Sequence, residues 1–323
     1  MKITVIINPH SGKAKHGFFE KERFVDIFRK YLSSEHKYEI FSSKSREDTE
    51  KNMEYFVQSS DVIAVTGGDG TLNHFINSAI PFLSKKRVLI FPIGGGSLNV
   101  IHKNVIPNQS IGTAPRLLCD IVNSMSNSEN PEMFVKKLRA ISFENSGGTK
   151  YGFMFANGVV YKAMKRYYSK GVGPEVALKT IAEMLFDVIM KRDKDLLEYT
   201  DCSIEIDGKD FPYGQKIVAS VAASFKKMIL FTKPFIESEG DGFYFMASAD
   251  PATKVALNFL WIVLGKKVLP KTFNGKAKKV FLSFSGGYTI DGELFESRDI
   301  EMILSEGPYI SFLTLPQYTT STR

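Results

Sequence analysis

Residues 61–77 read DVIAVTGGDGTLNHFIN. The apolar run from Asp61 to Val65 has the length and β-branched character of a strand, and the residues from about Thr71 to Leu83 have helical spacing. Between them stand Gly67, Gly68, Asp69 and Gly70. Glycine at a strand-to-helix corner lets backbone N–H groups approach a ligand with no Cβ in the way. The helix start adds unsatisfied N–H groups and the positive end of its dipole, a combination that suits phosphate. Asp69 repels phosphate directly, so its charge is explained either through a Mg²⁺ ion or by hydrogen bonds to loop amides. A purely structural turn, with Asp69 capping its own helix, is the plain alternative. The motif is neither the GxxxxGK[ST] P-loop nor the GxGxxG of dinucleotide sheets.

Two further corners share this design. Lys2 to Ile7 reads as a strand that stops at Asn8-Pro-His-Ser-Gly-Lys13, and Arg87 to Phe91 as a strand that runs into Pro92-Ile-Gly-Gly-Gly-Ser-Leu-Asn99. Helical spacing at Phe18–Leu32 and Arg46–Ser59, with a short strand at Lys37–Phe41 and a turn at Ser42-Ser43, completes an alternation of strands and helices. That alternation predicts a parallel sheet with ligands at the carboxyl ends of its strands.

The character changes after about residue 125. Ser124 to Pro131 is a loop-like bridge, followed by short alternating runs at Phe134–Phe143, Lys150–Asn157, Cys202–Ile206, Lys216–Ala222, Gly242–Ala247 and Lys279–Phe284. Turns such as Asp207-Gly208 and Asp241-Gly242 separate several of them, which predicts an antiparallel β domain interrupted by one helical insertion at about Pro174–Met190. The expected organisation is an α/β first domain over 1–125, rejoined by 300–323, and a β-rich second domain over 126–299.

Bulk properties narrow the classes. In 323 residues, 43% are apolar and 24% charged, as in ordinary globular proteins. The longest apolar run, Val255–Leu264, is too short for a membrane span and reads as a core helix. The opening MKITVIINP reads as a strand rather than a leader peptide. Cys119 and Cys202 suggest neither a disulfide framework nor a metal site, in keeping with a reducing cytoplasm. The net charge is +7, and Lys266, Lys267, Lys271, Lys276, Lys278 and Lys279 share a stretch without acids. Such a bias is either a solvated surface or attraction to an anionic one, and with no nucleic-acid motif present the latter favours lipid.

Taken together, the motifs resemble those of the diacylglycerol kinase catalytic-domain family, which includes sphingosine and ceramide kinases. Gly67-Gly-Asp-Gly-Thr71 with Leu72-Asn73 is similar to its signature, and Asn8-Pro9 with Ser11-Gly12-Lys13 to its first motif. Gly96-Ser-Leu-Asn99 is similar to its G[TS]xN motif, Lys233-Pro234 with Asp241-Gly242 to its P…DG segment, and Asp291-Gly-Glu293 to its late DGE motif. The resemblance implies an α/β domain like that of NAD kinase and diacylglycerol kinase, plus a mainly antiparallel β-sandwich domain. It implies ATP and Mg²⁺ as cofactors, with Asn8, Ser11, Gly12, Thr66, Gly67, Gly68, Asp69, Gly70, Thr71, Ser97 and Asn99 around the nucleotide and Ser43 as a weaker candidate. Asp291 would be the base that takes the proton of a lipid hydroxyl, and Asp69 a catalytic and metal-linked carboxylate. Glu293 would sit near the nucleotide or its metal, and Asp241 would steady the β domain through a second Mg²⁺. If the strand stays extended, Asp291 and Glu293 face the same side.

Three departures from the family pattern stand out. Pro92 to Asn99 is longer than the family's PxGTxN, Val100 replaces the Asp that follows that Asn in many bacterial diacylglycerol kinases, and Ser224-Phe-Lys-Lys227 replaces an expected Asn and glycine pair. The implied activity is ATP-dependent phosphorylation of a lipid hydroxyl, diacylglycerol by default. A sphingoid base or ceramide is the alternative acceptor, and a lipid-binding pseudokinase the alternative of another class. NAD kinase shares a GGDG loop, but a second TPTGS-like motif is missing from the chain. The implied partner is a lipid alcohol at a membrane surface, with no nucleic acid; the sequence leaves open whether two copies of the chain form a homodimer. The implied location is cytoplasmic, peripheral to a membrane.

Overall fold

The structure, a computed structural model, describes residues 1–9, 20–107, 110–238 and 240–317. It divides into two compact units, residues 1–138 with 309–323, and residues 139–308. The sequence reading put the first division at 125/126. There helix Ala114–Ser126 ends, but the chain stays with the first unit until the early part of a strand, Val135–Asn145. The second division was read at 299/300 and falls at 308/309.

The first unit runs β1 (Lys2–Ile7), α1 (Lys21–Tyr31), β2 (Lys37–Ser42), α2 (Arg46–Lys51), α3 (Met53–Ser59), β3 (Val62–Gly67), α4 (Asp69–Leu83), β4 (Leu89–Gly94), α5 (Val100–Val105) and α6 (Ala114–Ser126). Its strands pair in parallel in the order β2-β1-β3-β4, and Phe312 from the end of the chain pairs in parallel with Ile90 of β4. Every residue of β3 and β4 is buried. A strand covered on both faces needs no polar alternation, which is why Val62–Val65 reads as a plain apolar run. Helices pair as α1 with α6 and α3 with α4. The helix read over 46–59 is two helices, because Asn52 adopts φ −99° and ψ 1° and ends the first ladder. The order 2-1-3 places the reversal of winding between β1 and β3, the point at which open α/β sheets bind ligands.

The second unit continues with β5 (Val135–Asn145), β6 (Gly148–Gly152), β7 (Met154–Asn157), α7 (Val159–Lys170), α8 (Pro174–Ile189), α9 (Lys194–Leu197), β8 (Thr200–Ile206), β9 (Lys209–Asp210), β10 (Lys216–Ile217) and β11 (Ala219–Ala223). It ends with β12 (Phe243–Ser248), α10 (Ala252–Leu257), α11 (Phe259–Val263), β13 (Thr272–Ala277), β14 (Lys279–Ile290) and β15 (Glu293–Leu313). Strands β13-β12-β11-β7 pair antiparallel and continue onto the end of β14. The start of β14 pairs instead with β8. A register shift between Phe284 and Gly286 separates the two halves, so one strand serves two sheets. The run read as one strand at 216–222 changes sheets in the same way at Val218: β10 pairs β8, and β11 pairs β7 and β12. Side chains from both sheets form one core, in which Phe155 lies 6.1 Å from Phe143, 6.3 Å from Phe284 and 6.0 Å from Tyr288, centroid to centroid.

Helices are more numerous here than the single predicted insertion. The α7 helix buries Tyr161, Met164 and Tyr167, an aromatic-rich face that does not read as a conventional apolar stripe. Residues 255–264 are not a core helix either. The segment breaks at Asn258, and Leu257, Leu260, Trp261 and Leu264 are 67%, 70%, 55% and 55% exposed. No described helix is long and apolar enough to cross a membrane.

Phe155→Ala should cost about 3–5 kcal/mol, the usual cost of emptying a fully buried phenylalanine site. Denaturant unfolding followed by circular dichroism should show a lower midpoint for the transition of the second unit.

Candidate active site

In the first unit, three corners converge at the carboxyl ends of the parallel strands. Asn8, just past β1, donates its backbone N–H to Thr66 Oγ1 at 3.1 Å and its side-chain amide to Thr71 Oγ1 at 3.0 Å. The loop after β1 is therefore tied to both ends of the glycine corner after β3. That corner is tied in turn to the one after β4: Gly95 N–H donates to Gly67 O at 2.6 Å. A Cβ placed on Gly96 would lie 2.6 Å from the Cα of Gly68, so the two corners touch backbone to backbone. Asn99 locks the second loop by a reciprocal pair, accepting from Gly96 N–H at 2.9 Å and donating to Gly96 O at 2.8 Å. To do so it adopts φ 50°, a left-handed conformation that asparagine tolerates better than most residues.

Asp69 is the first residue of α4, yet it does not cap that helix. Its carboxylate accepts from Val100 N–H at 2.8 Å and Ile101 N–H at 3.0 Å, so it caps α5 across the two corners. Of the two explanations offered by the sequence, the geometry realises hydrogen bonds to loop amides, and the amides belong to the neighbouring corner. Desolvation pushes the Asp69 carboxyl up to about 6, against the two amide bonds and the charge of Lys103, which pull it down. His102 is held neutral by burial, with its Nδ1 2.7 Å from the Pro92 carbonyl.

A pocket of about 380 Å³ opens beside these corners, lined by Asn8, Ser43, Arg46, Thr71 and His74 among others. Ser43 is buried and donates to Ser45 O at 2.7 Å. Neither Arg46 nor His74 is a site residue in the sequence reading, which takes His74 for a structural or solvent-facing side chain. Arg46 lies close behind the Ser42-Ser43 turn, the only signal available, and His74 sits one helical turn past Gly70. Thr66 is buried, whereas Gly68, Gly70 and Ser97 are partly exposed. Ser11 and Gly12 lie outside the described residues.

In the second unit, Asp291 and Gly292 form the turn joining β14 to β15, with Ile290 paired to Glu293 and φ of 47° and 89°. This is a two-residue hairpin of the primed type. The condition under which Asp291 and Glu293 would face one side, an extended strand, is therefore not met. Asp291 is nevertheless 2% exposed. Its Oδ1 accepts from Phe153 N–H at 3.0 Å and Met154 N–H at 2.8 Å, and its Oδ2 lies 3.1 Å from the former. Those contacts explain why the run read as one strand at 150–157 breaks at Phe153: its amide turns to the carboxylate instead of the ladder. Gly152 makes the approach available, since a Cβ there would meet Asp291 Oδ2 at 2.8 Å. Ser224 lies alongside, donating its N–H to Phe153 O at 2.9 Å. Phe225 stacks on Phe153 at 6.5 Å, which places the divergent Ser224–Lys227 segment next to the strand that grips Asp291. Glu293 is partly buried.

Asp241 is exposed, 4.0 Å from Lys278, and the turn it begins is shaped by Gly242, at φ 113° against the Ala277 carbonyl. Among the described residues, no group of three or more His, Cys, Asp or Glu is arranged to hold a metal ion.

The family model of the diacylglycerol kinase catalytic domain matches residues 2–130. Over that segment the chain is similar to the diacylglycerol kinase catalytic domain. A crystal structure of a diacylglycerol kinase from Bacillus anthracis Sterne is 18% identical, with a TM-score of 0.62 over 98% of this chain and 97% of that one. Two others from the same strain, provisionally named diacylglycerol kinases, reach TM-scores of 0.68 at 19% identity and 0.63 at 20% identity. They cover 98% of this chain and 97% and 99% of theirs. At such identities the likeness speaks for the shared two-domain fold. No curated protein sequence matches the chain.

The Asp69 cap gives a pH dependence. Its folded value lies above the ordinary 3.8, so its contribution to stability is full below pH about 4 and is lost as pH rises through about 6. Subtracting the stability of Asp69→Asn from that of the unchanged protein should leave a term that declines over this window. A flat difference in a urea-melt series would contradict the desolvated carboxyl.

Proposed function

We propose that the protein is an ATP-dependent lipid kinase that transfers the γ-phosphoryl group to a lipid hydroxyl, with diacylglycerol as the default acceptor. The carrying observation is the convergence of three corners, with Gly68 backbone to backbone against Gly96 and Asn8 bonded to Thr71, at the reversal point of a parallel sheet. Two crowded glycine loops and the start of a fifteen-residue helix suit a polyphosphate, because the first N–H groups of a helix have no intrahelical partner. Asn8, Ser11, Gly12, Thr66–Thr71, Ser97 and Asn99 form the proposed phosphate-binding surface. Ser43 and the pocket it shares with Arg46 and His74 receive the remainder of the nucleotide.

Magnesium fits this site only as an ion carried largely by phosphate oxygens, since it commonly uses one or two carboxylates and keeps its waters. Asp69 is the carboxylate at hand and would have to share its charge with the α5 amides. When bound, the ion would neutralise phosphate charge. Asp241 remains a proposed second-metal position on the basis of its motif alone.

Asp291 is proposed as the base. As the lipid oxygen bonds to the γ-phosphorus and the bond to the β–γ bridging oxygen breaks, releasing ADP, the hydroxyl proton passes to the Asp291 carboxylate. Two amide donors orient that carboxylate and leave it capacity to accept a further proton donor. Glu293 is proposed near the nucleotide. A sphingoid-base or ceramide acceptor is the alternative; Val100, where many bacterial diacylglycerol kinases carry Asp, is the departure that speaks for it, and the divergent Ser224–Lys227 segment leaves the acceptor open between them. The free, buried Cys119 and Cys202 suit the proposed cytoplasmic location.

Labelled ATP presented with a mixed-micelle panel of diacylglycerol, monoacylglycerol, sphingosine and ceramide tests the reading. Asp291→Asn should lower kcat by roughly 10²–10⁴ while nucleotide affinity is retained. Gly96→Ala, which pushes a methyl group into the Gly68 backbone, should instead raise the KM for ATP. ATP binding without label on any lipid, from a folded protein, would replace the kinase with a lipid-binding pseudokinase.

A further inference from the structure

Between the paired strands β12 and β13 the chain makes an excursion, residues 251–271, that the phosphate chemistry does not use. On either side of the break at Asn258, Leu257 ends α10, Leu260 and Trp261 lie in α11 and Leu264 follows it; the four fall at i, i+3, i+4 and i+7, the spacing of one helical face. In an ordinary surface helix that face is buried. Here all four residues are more than half exposed. The opposite side holds the excursion to the unit: Ala252 is buried against Met184 and Val188 of α8.

The excursion is anchored rather than loose. Asp250, 1% exposed, accepts from Lys254 Nζ at 2.8 Å on one side and from Lys271 N–H at 2.8 Å on the other, joining its two ends. Midway, Lys233 N–H donates to Val263 O at 2.7 Å. A well-held element with an outward apolar face is an interaction site in waiting.

Charge selects the occupant. Residues 251–271 carry four lysines and no acid. Lys266 and Lys267 follow Leu264 within one turn, and Lys266 Nζ lies 5.8 Å from the centre of the Trp261 ring. An exposed tryptophan and leucines rimmed by lysines match the boundary of an anionic bilayer. There the indole sits at headgroup level, the leucines enter the acyl region, and the ammonium groups meet lipid phosphates. We infer that the α10–α11 face is the element by which this protein docks on anionic membranes. The inference rests on the lipid-kinase reading for its occupant, since such an acceptor is presented in a bilayer.

Trp261 is the only tryptophan in the chain, so its emission reports on this face alone. The full chain, without nucleotide, is titrated with vesicles of phosphatidylcholine, and with vesicles of phosphatidylcholine and phosphatidylglycerol in equal parts. Expected are a blue shift with the anionic vesicles, quenching by brominated acyl chains, and co-sedimentation. Lys266→Gln and Lys267→Gln should each weaken binding about five-fold. Leu257→Ser with Leu260→Ser should abolish the shift while circular dichroism and ATP binding stay unchanged. An unshifted, unquenched Trp261 on anionic vesicles overturns the inference. So does a dimer in sedimentation equilibrium that the double serine variant dissociates, which would assign the face to a second copy of the chain. Phosphate transfer to micellar lipid with no vesicle binding would remove the docking face alone. Vesicle binding with no transfer to any lipid would remove the kinase reading alone.

Discussion

Two hydrogen bonds, from the Val100 and Ile101 amides to the Asp69 carboxylate, organise the first unit. They join the start of one helix to the start of the next and, with the Gly95-to-Gly67 backbone bond, set the spacing of two glycine loops. The bonds carry a cost. The carboxylate is desolvated enough that its proton is held up to about pH 6, and the amides only partly offset this. A simple structural turn would have no need of so unfavourable a group. Asp69 lets Gly68 and Gly96 meet at backbone distance, and the Asn8 and Asn99 side chains close the same arrangement from its two ends.

The second unit uses a carboxylate in a similar way. Asp291 occupies a hairpin turn, but its oxygens reach across to the amides of Phe153 and Met154 and interrupt the strand that holds them. Asp207 forms the same turn, with Gly208 at positive φ and Ile206 paired to Lys209. Its Oδ1 accepts from the exposed Lys278 and Lys279 amides at 3.0 and 2.8 Å. The two turns share local chemistry and differ in burial.

That contrast marks how far the amino-acid sequence can be read. The parallel sheet, its strand-following corners and the antiparallel character of the second unit were legible, because each follows from local apolar patterning and glycine placement. The burial of Asp291 was not, because Asp-Gly-Glu taken alone reads as an ordinary hairpin turn and only the long-range grip by residues 153–154 decides its surroundings. Asp69 capping a helix that begins thirty-one residues later was invisible for the same reason. Residues 255–264 misled in the opposite direction: an apolar helical stripe normally marks a core, and nothing local tells whether a partner face exists. Arg46 and His74 enter the site only through the packing of α2 and α4 beside Ser43.

The closure at Asp250 has a bearing on how this chain can change. Ser248 and Thr272 are paired neighbours in the sheet, so everything from Pro251 to Lys271 is in topological terms a long hairpin tip. The entropic cost of closing such a tip grows only slowly with its length, and here both ends are already fixed by one buried carboxylate. Insertions and deletions at its exposed apex, away from buried Ala252 and Leu269 and from the Val263 carbonyl, are therefore the changes that the β12–β13 ladder tolerates best. Descendants of this chain have a place to vary in which the rest of the sheet has little stake.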